Sequence, residues 1–381
     1  MLPNYSILHK QDIFITEKYE PDIRRDELSF LSRSFERHFN ERPYLHHACY
    51  LFLTKTTKER SRQQSNWNTL CRGFLVPKEI RDKETVERFM EAVGQFESIV
   101  NDSGLIRLER LTTEEITGTE NKPGIIERYL TLSADGTTML QDMQLNPDEM
   151  RIGDKRLCLH TLSDLDDLPG KVKTDGRYER LSTDRSDCRL SYAAPVGVML
   201  PCDHIYNQWI FIDDSNENLS RFEKAAKNMQ SLSRYSRSNQ INKEWLDEYL
   251  NEAHTNGLQS VRCHCNIIAW AENGDELRRV KNDVGSALAL MECTPHHNTT
   301  DLPALYWAGI PGNEADFPAE ETFYTFTGQA LCFFTAETCY RNSLSPFGIR
   351  MVDRLTGKPV FLDISDLSLI HISEPTRHAQ I

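Results

Sequence analysis

The sequence is poor in what several large function classes require. No run approaches the ~20 continuous apolar residues that span a bilayer. Met1-Leu2-Pro3-Asn4-Tyr5-Ser6 lacks a charged-then-apolar leader pattern, so a cytoplasmic chain is expected unless a partner holds it at a membrane. Positive charge is in deficit, with 44 Lys and Arg against 57 Asp and Glu and a net charge of −13. That balance argues against a broad nucleic-acid surface, which needs clustered Lys and Arg, though not against a local basic patch. There is no fixed-period repeat and no low-complexity segment. Ten cysteines without a secretory leader fit reduced thiols better than a disulfide scaffold.

A phosphate-binding loop is also missing. G-x-x-x-x-G-K-[ST] uses backbone amides to cradle phosphates, Lys to reach the β/γ-phosphates and a hydroxyl to hold Mg²⁺. Gly-Lys stands at Gly170-Lys171, followed by Val172, and at Gly357-Lys358, followed by Pro359. Neither has the hydroxyl, and the positions five before each glycine are Leu165 and Val352. Gly309-Ile310-Pro311-Gly312-Asn313 lacks the Lys as well. The chain itself is expected not to hydrolyse ATP.

What is present is an ordinary globular composition, 39% hydrophobic and 27% charged. The length of 381 residues suggests about two or three domains. Residues 1–24 read as polar and extended. Helices are expected from Asp26 to about Asn40, with Leu28, Leu31, Phe35 and Phe39 on one face, and from Glu84 to Asn101, stopped by Gly104. Shorter helices are expected after Thr112-Thr113-Glu114-Glu115 and over Gly124–Leu132. Later helices are expected over Ser215–Leu232, Asn242–Ala253 and Asp275–Met291. Strands are expected over Tyr44–Thr54, Leu105–Leu111, Trp209–Ile212, Val261–Trp270 and Leu305–Ala308, with candidate strands within Lys155–Leu162 and within Cys188–Leu200, the latter interrupted by Pro195. Two apolar runs around a Gly-containing break from Ser345 to Asp366 read as a β-hairpin. The fold class is α+β or α/β, mixed sheets with packed helices and no P-loop motor domain. The expected division is an N-terminal α+β domain over 1–132, an irregular insertion or boundary over 133–187, and a second α/β domain over 188–366.

Several stretches resemble a known family. Pro346-Phe347-Gly348-Ile349-Arg350-Met351-Val352-Asp353-Arg354-Leu355-Thr356-Gly357-Lys358-Pro359 is similar to the segment just upstream of the motor in TraG-family ATPases of conjugative transposons, which belong to the assembly ATPases of type IV secretion systems. His38–Pro43, Leu53–Arg60, Arg180–Cys188, Asn239–Trp245, Lys281–Leu290 and Tyr306–Asn313 also look like N-terminal regions of that family. The resemblance covers roughly residues 5–366 and contains no known catalytic residue. It implies a hexameric or dimeric ATPase at the inner face of the cell envelope that powers channel assembly and DNA transfer. The N-terminal region would dock the motor on membrane-embedded channel proteins and on neighbouring subunits. ATP and Mg²⁺ are implied for the parent protein, and no cofactor for this chain.

In that family the chain soon enters a phosphate-binding loop. Here Leu367 to Arg377 instead matches one reading frame of a transposase-end sequencing adapter, so residues 367–381 are expected to be a non-native tail. The chain is then a truncated fragment, and Met1 an internal start or a second truncation. The alternative from another class is a freestanding adaptor that binds secretion-channel proteins.

A zinc-dependent enzyme is a lower alternative. Cys263, His264 and Cys265, with Cys293, His296 and His297, offer ligand types for zinc at a non-standard spacing. Buried cysteines of a packed core are the simpler reading, and Cys158/His160 and Cys202/His204 rank lower. Asp184, Arg185 and Asp187 form an acidic group, expected to be a solvated or salt-bridged turn. Arg234, Tyr235, Arg237, Lys243 and Trp245 could contact single-stranded DNA; the simpler expectation is an exposed linker with Trp245 in the core. The stripes of the helices at 84–101 and 215–232 could meet partner proteins, but a core role is expected for both. No catalytic, cofactor-binding or metal residue is assigned.

Overall fold

Ser260–Ala271 carries Val, Cys, Ile and Ala in one alternating set and Ser260, Arg262, His264, Asn266, Ile268 and Trp270 in the other, and it is buried on both faces along nearly its whole length. In the computed structural model this segment lies at the centre of a nine-stranded sheet. The structure describes residues 2–20, 29–61, 81–120, 122–133, 141–146, 149–172, 176–232, 236–297, 301–337 and 349–362. The strands are β1 (Ser6–Lys18), β2 (Pro43–Lys55), β3 (Met143–Leu145), β4 (Met150–Ile152), β5 (Lys155–Leu162), β6 (His204–Ile212), β7 (Ser260–Ala271), β8 (His296–His297) and β9 (Phe323–Phe326), with β10 (Ile349–Val352) and β11 (Pro359–Leu362) forming a separate hairpin. The helices are α1 (Phe30–Phe39), α2 (Lys58–Ser61), α3 (Lys83–Asp102), α4 (Thr113–Thr117), α5 (Ile125–Thr131), α6 (Ser215–Leu232), α7 (Arg237–Asn256), α8 (Gly274–Leu290), α9 (Leu302–Ala308) and α10 (Thr327–Leu331).

The order is β2-β1-β6-β7-β5-β4-β3, with β9 beside one end of β7 and β8 beside β5. Every described pairing is antiparallel. The architecture is therefore α+β. The strand-helix alternation that suggested α/β arises because the helical pair α6–α7 returns the chain from β6 to an antiparallel neighbour, β7. The sheet takes β1 and β2 from the first expected span, β3 to β5 from the second and β6 to β9 from the third, so the three spans share one sheet.

Side-chain alternation splits the sheet into two cores. On one face Ile7, Ile13, Leu159, Ile205, Trp209 and Ile268 pack with Tyr129, Leu305, Tyr306 and Phe317. Tyr129 and Tyr306 stack at 4.7 Å, and each hydroxyl donates to the other's carbonyl, at 2.8 and 2.6 Å. Gly309 is needed beside them, because a Cβ there would lie 2.4 Å from the Tyr129 hydroxyl. On the opposite face Cys158, Tyr206, Cys265, Ile267 and Ala269 receive Leu277, Val280, Val284 and Leu288 of α8. These helix residues recur at three and four, as an amphipathic stripe should. The α6–α7 pair builds a further core from Leu219, Ala226, Leu250 and Ala253 under Phe326.

Several expectations change. Residues 6–18 are extended as expected, but they form a buried interior strand whose polar residues Ser6, His9, Gln11 and Asp12 lie inside. Leu305–Ala308 is helical, not a strand. Pro303 fixes the first turn, and Leu302, Leu305, Tyr306 and Ala308 bury one face. Cys188–Leu200 is not a strand, since Pro195 sits in a 3-10 turn, Ala194–Val196, ending at Gly197. Leu105–Leu111 forms no strand and joins no described ladder. Helix α1 starts at Phe30, where the Ser29 hydroxyl accepts from the Ser32 amide. The expected start at Asp26 and its stripe residue Leu28 lie outside the described residues. Leu31, expected on the apolar face, is 78% exposed. Helix α7 begins at Arg237, earlier than expected.

The hairpin from Ser345 is found as β10–β11, with Gly357 at φ +74° in its turn. Arg350 pairs with buried Glu36 of α1 and lies between the Phe35 and Phe361 rings. The hairpin is thereby tied to the first helix.

One buried ion pair holds β6, β7 and α2 together. Arg262 donates to Asp213 from Nε at 2.6 Å and from Nη2 at 3.3 Å, and from Nη2 to the Ser61 carbonyl and hydroxyl at 2.8 Å each. The side chains of Arg262 and Asp213 are 4% and 2% exposed. Arg262→Ala strands a buried carboxylate and is expected to cost about 3–5 kcal/mol. Urea denaturation checks this, and faster proteolysis near residue 61 should accompany it.

Candidate functional site

The chemistry-bearing side chains gather in two buried layers, one on each face of β1, β6 and β7. On the first face β1 contributes His9 and Gln11, β6 Asn207 and β7 Asn266 and His264, all essentially without solvent contact. Their hydrogen bonds run in one direction. The Glu321 carbonyl can only accept, so His264 donates to it from Nδ1, at 2.6 Å. Burial holds His264 neutral, with its pKa lowered to about 3. Its Nε2 then accepts from Asn266 Nδ2 at 3.1 Å. Asn266 Oδ1 accepts from Asn207 Nδ2 at 3.0 Å. Asn207 Oδ1 accepts from Gln11 at 2.9 Å and from His9 Nε2 at 3.1 Å. Gln11 also donates to the Gly309 carbonyl at 3.0 Å.

The layer ends on a carboxylate. Glu314 Oε1 lies 3.6 Å from His9 Nδ1, and Thr54 donates to Oε2 at 2.8 Å. Burial pushes the Glu314 carboxyl up, but the neighbouring His9 and hydrogen bonds from its own backbone and Thr54 bring it below its usual range. Trp209 stacks on His9 at 4.4 Å and closes the layer to solvent.

On the opposite face Asp12, fully buried, is the hub. His47 donates to it at 2.8 Å, Gln208 at 3.1 Å and Thr335 at 2.8 Å, and Lys10 completes the set. Burial alone would raise this carboxyl; His47 and Lys10 hold it far below the carboxylate range. Phe14 sits between two imidazoles, 4.2 Å from His47 and 4.5 Å from His204. Burial lowers the His204 pKa to about 4, and its Nδ1 donates to the Cys202 carbonyl at 2.8 Å.

Among the described residues neither layer lines a substrate-sized cavity. The cleft beside Ile13, Tyr50, Arg128 and Leu132 holds about 30 Å³, room for about one water.

Among the described residues the zinc ligand types are not brought together. Cys263 and Cys265 share one face of β7, whereas His264 points to the other and spends both nitrogens on hydrogen bonds. Cys265 and Cys293 join the core under α8. Burial pushes the Cys265 thiol up to about 12, and those of Cys263 and Cys293 up as well. His296 and His297 form β8, which pairs with Thr161 and His160 of β5; their side chains lie outside the described residues. Cys158 is buried with its thiol raised to about 11, and Cys202 is half-buried with its thiol raised to about 12. Asp184 and Arg185 occupy an exposed turn, and Asp187 pairs with Arg177 and Arg189, a solvated salt-bridged turn.

The basic-aromatic group is partly visible. Arg234 and Tyr235 lie outside the described residues, Arg237 opens α7, and Lys243 pairs with Asp247 at 3.0 Å. Trp245 is 61% exposed, so its expected core position is wrong.

The exposed feature that sequence reasoning assigned to the core is α3. It buries no residue fully, and Val86, Met90 and Ile99 are 42%, 49% and 68% exposed. Phe89, Val93, Phe96 and Val100 of its stripe are half-buried, and Phe96 packs on the sheet-side cluster that contains Leu8, Ile210 and Phe323. The segment after α3 folds back along it. Leu108 N donates to Asn101 Oδ1 at 2.7 Å, and Arg110 pairs with Glu97 at 2.6 Å. This arm presents Leu105 at 88% and Ile106 at 54% exposure. Helix α6, by contrast, keeps Leu219 and Ala226 in the core as expected.

Asn207→Leu strands the donors of His9 and Gln11 and the acceptor of Asn266, and is expected to cost on the order of 3–5 kcal/mol in urea denaturation. Asn207→Asp should also destabilise, because it sets an acceptor against Asn266 Oδ1. A neutral effect would show that the layer does not run in this direction.

His204 and His264 bind fewer protons folded than unfolded below the free imidazole pKa of about 6.5. Stability should therefore fall as pH drops from about 6.5 toward 4, by up to about 1.4 kcal/mol per pH unit for each histidine. His204→Phe, which can keep the ring on Phe14, should remove about half of that slope in denaturation midpoints measured between pH 7 and 5.

Among the described residues no helix is long and apolar enough to cross a membrane. Compared with protein-family models and with curated proteins, the chain matches none.

Proposed function

We propose that this chain is the docking and oligomerisation part of a TraG-type conjugation ATPase and carries no nucleotide site of its own. The observation that carries the reading is the family-like sequence at Lys281–Leu290, Tyr306–Asn313 and Pro346–Pro359. Two features support it. The titratable groups of the central sheet are spent on internal hydrogen bonds, which suits a scaffold better than a catalyst. An apolar arm, α3 with Leu105 and Ile106, stands open, which suits a protein that works by docking. In this reading the chain sits at the inner face of the membrane, held by channel proteins, and a motor domain elsewhere in the parent protein binds ATP and Mg²⁺.

Expressed in donor cells that carry a working TraG-type system, the chain should occupy docking positions and lower conjugative transfer at least tenfold. The purified chain should hydrolyse no ATP with Mg²⁺ present. Undiminished transfer at high levels of folded chain, or ATP turnover abolished by a substitution within residues 1–366, overturns the reading.

A further inference from the structure

We infer that the outer edge of β2 pairs with the β2 edge of a second copy of this chain, antiparallel about a two-fold axis at Leu51. This gives a surface to the oligomerisation reading above, on which it rests. β2 is the terminal strand on its side of the nine-stranded sheet. It pairs with β1 over Pro43–Lys55 in one unbroken register. The Thr56 amide donates inward, to the Tyr5 carbonyl, and the Leu45 amide donates outward, to the Thr356 carbonyl in the hairpin turn. Backbone direction alternates along an antiparallel strand. His47, Cys49, Leu51, Leu53 and Lys55 therefore turn their amides and carbonyls outward, and among the described residues these backbone groups meet no partner.

An open edge is a template for another strand, and proteins blunt it with proline, central charge, bulges or short length. From His47 to Lys55 β2 has no proline, no bulge and one charged residue, Lys55, at its end. The opposite side of the sheet ends on short strands, β3, β8 and β9, of three, two and four residues. Joining two β2 edges isologously leaves only these, so the assembly closes at a dimer and does not run on as a filament. The sequence also matches itself about Leu51. On both sides of the axis Tyr50 falls opposite Phe52 of the second copy, an aromatic cross-strand pair. Leu51 meets Leu51, Cys49 meets Leu53, and Lys55 lies outermost, opposite His47. Tyr50 and Phe52 already share one face, with ring centroids 6.1 Å apart and Phe52 beside His9. Pairing would carry the core on that face across the axis. The segment holds no acidic residue, so the net charge of −13 is not concentrated at the join.

The test uses the whole chain in sedimentation equilibrium at micromolar concentrations and physiological salt. Two edges of this length make a small interface, so a reversible monomer–dimer equilibrium is expected. Leu51→Pro removes an outward amide and no bond to β1. It should weaken the dimer at least tenfold with the circular dichroism unchanged, whereas Met90→Asp on α3 should leave the dimer intact. A second measurement reads the register without altering the backbone. In a Cys49→Ser chain, Leu51→Cys should be joined to its copy across the axis by a short bismaleimide. Lys55→Cys in the same chain, which lies far from its own copy, should not be. A chain that stays monomeric overturns the inference, whatever strand of another protein its edge can take. So does a dimer dissociated by Met90→Asp and not by Leu51→Pro, or equal cross-linking at 51 and 55. Undiminished transfer by the unsubstituted chain strikes the docking reading and a monomeric chain strikes this one, so the two failures are told apart.

Discussion

The fold depends on satisfying buried hydrogen-bonding groups across three adjacent strands. An unpartnered polar group in a core costs about 1–3 kcal/mol, and β1, β6 and β7 bury such groups on both faces. His9, Gln11, Asn207, Asn266 and His264 meet only if Gln11 stands opposite Asn207 and Asn207 opposite Asn266, which is the observed register. Apolar packing alone would tolerate neighbouring alignments better than these directional bonds do. A shift of β1 by one residue would carry Asp12 to the Trp209 face and Gln11 to the His47 face, leaving both layers unsatisfied.

The two layers differ in kind. The Asp12 hub is electrostatic, one carboxylate collecting donors from His47, Lys10, Gln208 and Thr335. The Asn207 layer is mostly neutral and directional, passing from amide to amide until it meets Glu314 through His9. The first ties β2 to the chain near residue 335, and the second ties the turn after α9 to the sheet. Between them they attach distant parts of the sequence to β1, which helps to explain why one sheet spans the regions that composition separates.

How much of this was legible follows from which residues were buried. Strands β5, β7 and most of β2, and helices α6 and α8, announced themselves because apolar residues dominate at least one interior face of each. Strand β1 did not, because nearly half of its buried residues are Ser, His, Gln and Asp, which look like surface. The same blindness shortened β6, whose first half, His204 to Gln208, is polar and wholly buried. Leu305–Ala308 misled in the other direction, its apolar cluster reading as a strand until Pro303 is seen to start a helix. The apolar stripe of α3 was plain, but its exposure was not, since periodicity reports a face and not what covers it. The buried hubs could be suspected only from polar residues interrupting apolar runs, at His9 to Asp12 and at Asn207-Gln208.

The one-way order of the Asn207 layer has a collective consequence. Each amide has its oxygen on one side and its nitrogen on the other, so a flip at Asn207 alone would set oxygen against oxygen at Asn266 and nitrogen against nitrogen at Gln11 and His9. Relief would require Asn266, Gln11 and the tautomers of two histidines to turn over together. The reversed state is blocked at its far end, where the Glu321 carbonyl cannot become a donor. Two backbone oxygens, of Glu321 at His264 and of Gly309 at Gln11, therefore set the polarity of a side-chain array that crosses three strands, and residues far apart in sequence share one orientational state.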